Sequence, residues 1–115
     1  ALEYVEKMVP AYNVPYDWLN GAAQMAEAYY QLGQTEKADK IMAAMANKAV
    51  EYLTWYLSMN DSHFLTSAYE FEFHLQMLSG EVRTMEKYKS KLTENYANKL
   101  DELYGMYVTR MKANR

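Results

Sequence analysis

The side chains in this sequence that could do chemistry are few, and their spacing is poor for it. His74 has Glu70 one turn earlier and Glu72 two residues earlier, but a helical carboxylate metal site needs a Glu-x-x-His pair repeated on a second helix. Neither that spacing nor a second set is present. An ion pair between Glu70 and His74 is the expected role, and His63, beside Asn60-Asp61-Ser62, is expected in the first turn of a helix. Ser58, Ser62, Ser67, Ser79 and Ser90 have no His and acid arranged to activate them, and 4 Gly are too few for a phosphate-cradling loop. The carboxylate pairs Asp101-Glu102 and Glu70/Glu72 point to different sides of a helix, which is unsuited to shared acid-base work. Asn60-Asp61-Ser62 fits the glycosylation acceptor pattern, yet a break and cap between helices explains the same residues better. No catalytic residue, metal site or cofactor is expected in this chain.

Composition narrows the remaining classes. The 115 residues fit one domain, 1–115, with one modest core, and 50% hydrophobic against 23% charged residues argues for a globular helical protein over disorder. Twelve basic and 15 acidic residues give a net charge of -3, which makes nucleic acid a poor partner. Lys87, Lys89 and Lys91 alternate with Glu86 and Glu94 and read as a solvated face. No apolar run approaches the roughly 20 residues that span a bilayer, so no direct membrane insertion is expected and the segment reads as soluble. With no Cys, the compartment stays open. Twelve Tyr are the outlier: such rings close helix interfaces while their hydroxyls stay at the wet edge, or they stack a ligand.

The elements that must position these residues are all helical. Leu2, Tyr4, Val5 and Met8 predict an opening helix to about Val9, stopped by Pro10, with Pro10 and Pro15 bracketing an extended link. Helical spacing at the very first residues reads as a piece cut from a longer protein. Asp17 is the expected cap of a helix to Leu32, ended by Gly33. Thr35 is the expected cap of the next, whose apolar positions Ala38, Ile41, Met42, Met45, Ala49, Tyr52, Leu53 and Tyr56 carry it to Leu57 or Ser58. A fourth helix follows the Asn60-Asp61-Ser62 break, carries Phe64, Leu65, Ala68, Tyr69, Phe73, Gln76 and Met77 on one face, and stops at Ser79-Gly80. From Glu81 to the end, Val82, Met85, Tyr88, Leu92, Tyr96, Leu100, Leu103, Tyr107 and Met111 predict one long helix. The fold class is therefore all-α, with about five helices in antiparallel hairpins and a long C-terminal helix.

The stretch from about Asn20 to Met45 resembles a tetratricopeptide repeat. Ala26 stands at its small helix-A position, Tyr29 at its aromatic position, Ala38 at the small position opening helix B, and Met42 and Met45 at the following core positions. It departs from that pattern at Ala22, where the repeat has Trp, and at Val50, where it has Pro; a second expected turn at Gly80 lies 47 residues after Gly33, beyond the family's period. The order Val14-Pro15-Tyr16, Ala26 to Tyr30, Leu32-Gly33, Thr35 to Ala38 and Tyr56-Leu57-Ser58 also resembles the C-terminal soluble tail of large bacterial multi-spanning membrane proteins of unknown function, themselves similar to protein O-mannosyltransferases. That resemblance implies a noncatalytic interaction or scaffold module of a bacterial inner-membrane protein, on either side of the membrane, with any glycosyltransferase activity lying upstream. Its partner would be another protein or the rest of the parent chain. By the repeat analogy the partner-facing residues are Asn20, Ala23, Glu27, Tyr30 and Gln31, along one side of helix A. The alternative is a small-molecule or glycan site in a Tyr-lined groove, with Trp18 or Trp55 stacking the ligand.

Overall fold

A computed structural model describes residues 16–114, with side chains from Gly21 onward. The predicted opening helix and the Pro10–Pro15 link lie outside the described residues, as do the side chains of Trp18 and Asn20. Five helices are described: α1 (Tyr16–Gln31), α2 (Thr35–Leu57), α3 (Asp61–Thr66), α4 (Ala68–Lys87) and α5 (Thr93–Ala113). The fold is all-α, as the apolar periodicity predicts. No helix among the described residues is long and apolar enough to cross a membrane.

The central element is α2, which packs against α1, α4 and α5. Its apolar stripe of Ala38, Ile41, Met42, Met45, Ala46, Ala49 and Leu53 is buried along the whole helix. Ala22 and Ala26 of α1 and Ala38 of α2 are fully enclosed, and their lack of bulk lets the two helix axes approach while Tyr29 fills the space beside them. Phe64, Phe71, Leu78, Val82, Met85, Tyr96 and Leu103 complete the core from the other elements. The described residues form a flattened body, 49 × 27 × 15 Å.

Two turns of the same kind organise the plate. At the end of α1, Gly33 takes φ +79°, Gln34 N donates to Tyr29 O at 2.8 Å and Gly33 N to Tyr30 O at 3.0 Å. At the end of α4, Lys89 takes φ 55°, Ser90 N donates to Met85 O at 2.9 Å and Lys89 N to Glu86 O at 3.1 Å. Both are Schellman caps, in which a left-handed residue turns the last carbonyls back onto the chain. They make α1–α2 and α4–α5 two hairpins.

The second turn corrects the sequence-based expectation. Ser79-Gly80 does not end a helix: Gly80 lies inside α4, and an added Cβ there would meet nothing within 4 Å. The chain from Glu81 onward is not one helix but the end of α4, a turn at residues 88–92, and α5. The caps also differ in part. Asn60 caps α3, its Oδ1 accepting His63 N at 2.9 Å. Thr35, by contrast, is the first residue of α2, and Gln34 at the cap makes no side-chain cap bond. α1 starts at Tyr16, so Asp17 stands in its first turn rather than before it.

Arg110 holds the far end of the plate. Its guanidinium donates to Leu57 O at 2.6 Å and to Met59 O, reaches Asp61 Oδ1 at 3.1 Å, and lies 4.3 Å from the centroid of the Phe64 ring. One α5 side chain thereby satisfies carbonyls beyond the α2 terminus that no helix bond can reach.

Candidate interaction surface

The helix-A face predicted to meet a partner is largely engaged by the second hairpin. Tyr30 is buried; its ring stacks on Tyr88 at 4.8 Å and 10°, and its hydroxyl donates to Asp39 Oδ1 at 2.5 Å. Ser90 Oγ donates to the same Asp39 oxygen at 2.6 Å and accepts Leu92 N at 3.1 Å. A buried carboxylate near the start of α2 is thus bonded by the ends of both hairpins. Burial first, and Asp39 second, push the Tyr30 hydroxyl up to about 12, so it stays a proton donor throughout the physiological range. At the rim, Tyr88 Oη donates to Glu27 Oε1 at 3.3 Å, Gln31 Nε2 donates to Tyr88 Oη at 3.3 Å, and Lys87 Nζ lies 3.4 Å from Glu27 Oε1. The structure therefore brings Glu27, Tyr30 and Gln31 together, around Tyr88. Ala23 is half-buried and packs against the core, and Asn20 lies in α1 with its side chain outside the described residues.

Other exposed rings lie elsewhere, Tyr104 on α5 and three more on α2 and α4. Trp55 is 55% exposed, Phe73 47% and Tyr69 80%. Trp55 contacts Tyr56 at 5.0 Å, Tyr56 lies 5.8 Å from His74, Tyr52 stacks on His74 at 4.6 Å and 21°, and Phe73 meets His74 edge-on at 5.6 Å. These contacts form a continuous ridge across two helices, and Tyr69, one turn before Phe73, extends it. Two carboxylates flank the ridge, Glu51 on α2 and Glu70 on α4, both exposed; Glu70 is close enough to raise the Tyr56 pKa, after burial. Beside Trp55 is a hollow of about 300 Å³ lined by Lys48, Glu51, Tyr52 and Trp55, in which Lys48 Nζ sits 3.7 Å from Glu51 Oε2 and 5.6 Å from the Tyr52 ring centroid.

His74 is a correction to the sequence-based expectation. It is buried beneath the ridge, and burial lowers its pKa, the opposite of what an ion pair with Glu70 would do. A neutral imidazole stacked on Tyr52 is part of the platform. Phe71, Phe64 and Tyr107 continue the aromatic packing inward, with Tyr107 stacked on Phe71 at 4.9 Å and its hydroxyl bonded to Glu72.

The arrangement offers aromatic faces, carboxylates and a cationic edge, which suit recognition of apolar and basic groups. Among the described residues, no group of three or more His, Cys, Asp or Glu is placed to hold a metal ion. Asp39, Ser90 and Glu81 escaped the sequence reading. Asp39 sits between Ala38 and Ile41 on an otherwise apolar stripe, and a charge in that position was the available signal. In comparison with known proteins, no family model, no curated protein and no solved structure matches this chain.

Proposed function

We propose that this chain is a noncatalytic helical-hairpin interaction module, tetratricopeptide-like in its first hairpin. It would be the soluble C-terminal tail of a bacterial multi-spanning membrane protein of the glycosyltransferase type, docking the rest of its parent or a protein partner. The observation that carries the reading is the group of exposed rings Trp55, Phe73 and Tyr69, of which Phe73 meets the buried His74 edge-on and Trp55 reaches it through Tyr56, with Glu51 and Glu70 exposed beside them. Rigid rings with an acidic margin favour a partner surface with an apolar centre and Lys or Arg around it. The helix-A residues Glu27 and Gln31 are half-exposed or exposed at the edge of the hairpin junction and form the second surface to be tested.

The test is capture of the soluble loops of the parent protein by the immobilised chain. The double variant Trp55→Ala/Phe73→Ala truncates exposed rings, so folding is retained, and at least a tenfold loss of capture is expected. Capture equal to that of the unaltered chain contradicts the ridge as the surface, and loss with Glu27→Ala/Gln31→Ala instead moves it to helix A.

A second reading, a glycan site, is favoured by the hollow that sets the Trp55 indole beside Lys48 and Glu51. A stacking ring with polar neighbours is what a sugar needs. Free sugars added to the same capture assay separate the two: competition that Trp55→Ala abolishes supports the glycan reading, and none across a broad panel counts against it.

A further inference from the structure

Glu81 stands in the middle of α4 and points into the protein. It is 8% exposed, and its Oε1 is the buried side-chain polar atom left without a hydrogen-bond partner among the described residues. A carboxylate so placed is costly, because nothing replaces the water it has lost. From α5, Tyr96 lies close enough that Glu81, after burial, helps raise the Tyr96 pKa, and the Tyr96 hydroxyl donates to Asn47 Oδ1 of α2 at 2.6 Å. α2 also carries the buried acid Asp39, already bonded to Tyr30 and Ser90. The charged side chains of the neighbouring turns, Lys40, Arg83, Lys99 and Glu102, are exposed, and Lys99 lies 3.8 Å from Glu102. Immediately outside Tyr96 a groove of about 240 Å³ runs between α2 and α5, lined in part by Asn47, Val50, Tyr96 and Lys99.

We propose that Glu81 is a pH-responsive latch between α4 and α5: as the neutral acid it lets α5 close over α4, and as the carboxylate it draws water in and opens that hairpin at Tyr96. The location makes the response local. The Asp39 cluster joins the hairpin turns through Tyr30 and Ser90, bonds that do not involve Glu81. Opening would widen the α2–α5 groove and release Tyr96 from Asn47, so the surface on that side depends on pH.

Burial pushes the Glu81 carboxyl up from 4.5 to about 8. The folded pKa lies above the unfolded one, so the closed hairpin is fully favoured below about pH 4.5 and loses stability as pH rises through about 8. The loss is on the order of tenfold to a hundredfold in the closed-to-open ratio between pH 5.5 and 7.5. Other groups titrate over the same range, and the difference between the unaltered chain and Glu81→Gln isolates this one.

The experiment is hydrogen exchange of the whole chain at pH 5.5, 7 and 8.5, with rates corrected for the intrinsic effect of pH. Amides of α4 and α5 around Glu81, Tyr96 and Leu103 should lose protection relative to those of α1 and α2 as pH rises. That differential loss should vanish in both Glu81→Gln and Glu81→Met. The proposal is overturned if either variant keeps the same pH dependence as the unaltered chain, or if all helices lose protection together.

Discussion

Asp39 accepts Tyr30 Oη at 2.5 Å and Ser90 Oγ at 2.6 Å on the same oxygen, and charged hydrogen bonds of this kind contribute about 1.5–3 kcal/mol each when buried. Tyr30→Phe keeps the ring on Tyr88 and deletes only the hydroxyl, so chemical denaturation should show a loss of about 1.5–3 kcal/mol. Tyr30→Ala should cost more, about 3–5 kcal/mol, because the stacked ring goes as well. An unchanged Tyr30→Phe midpoint would mean that Asp39 does not join the hairpins. The contrast bears on function, because a residue read from sequence as a partner anchor is anchored inside the protein. Its character as a rigid amphipathic ring was legible; its neighbour was not, since Tyr88 lies 58 residues away and no local pattern links the two. Glu81 was hidden for a related reason: reading Ser79-Gly80 as a stop made it the exposed first residue of a helix.

At the scale of elements, the first hairpin was legible because its chemistry is local. Gly33 takes the left-handed conformation that its lack of Cβ allows, and Ala26 and Ala38 mark where two helices touch. The second was not, because Lys89 occupies the left-handed position that glycine usually fills, while Gly80 continues a helix without any such need. Three substitutions distinguish the turns. Gly33→Ala should lose about 1 kcal/mol, Gly80→Ala should gain about 0.5–1 kcal/mol, and Lys89→Gly should be stabilising by about 1 kcal/mol, read from thermal or denaturant midpoints. A destabilising Gly80→Ala would restore the turn at Gly80 and remove the α4–α5 hairpin. The same registers explain the length of α2: it continues past Val50 with Leu53 in the core and Tyr56 packed against it, where α2 lies on α4 and α5.

At the scale of the whole molecule, the described residues form a flattened body of 49 × 27 × 15 Å, and that shape makes its surface informative. Such a plate has two broad faces and a small core, so large rings left outside are partly a matter of geometry. Trp55, Phe73 and Tyr69 stand out because the first two join one contact chain through His74 and carboxylates flank them. The all-α class and the position of the first hairpin could be read from periodicity and small residues. The ridge could not, since it combines residues of α2 and α4 whose relative rotation is set by packing alone. The most direct measurement of the interaction-module claim is hydrogen exchange of this segment within its full-length parent, compared with the isolated chain. Added protection is expected to be confined to 52–56 of α2 and 69–74 of α4, with the Tyr30–Asp39–Ser90 junction equally protected in both. Identical exchange at the ridge in the two states, or the absence of any longer parent, would contradict it.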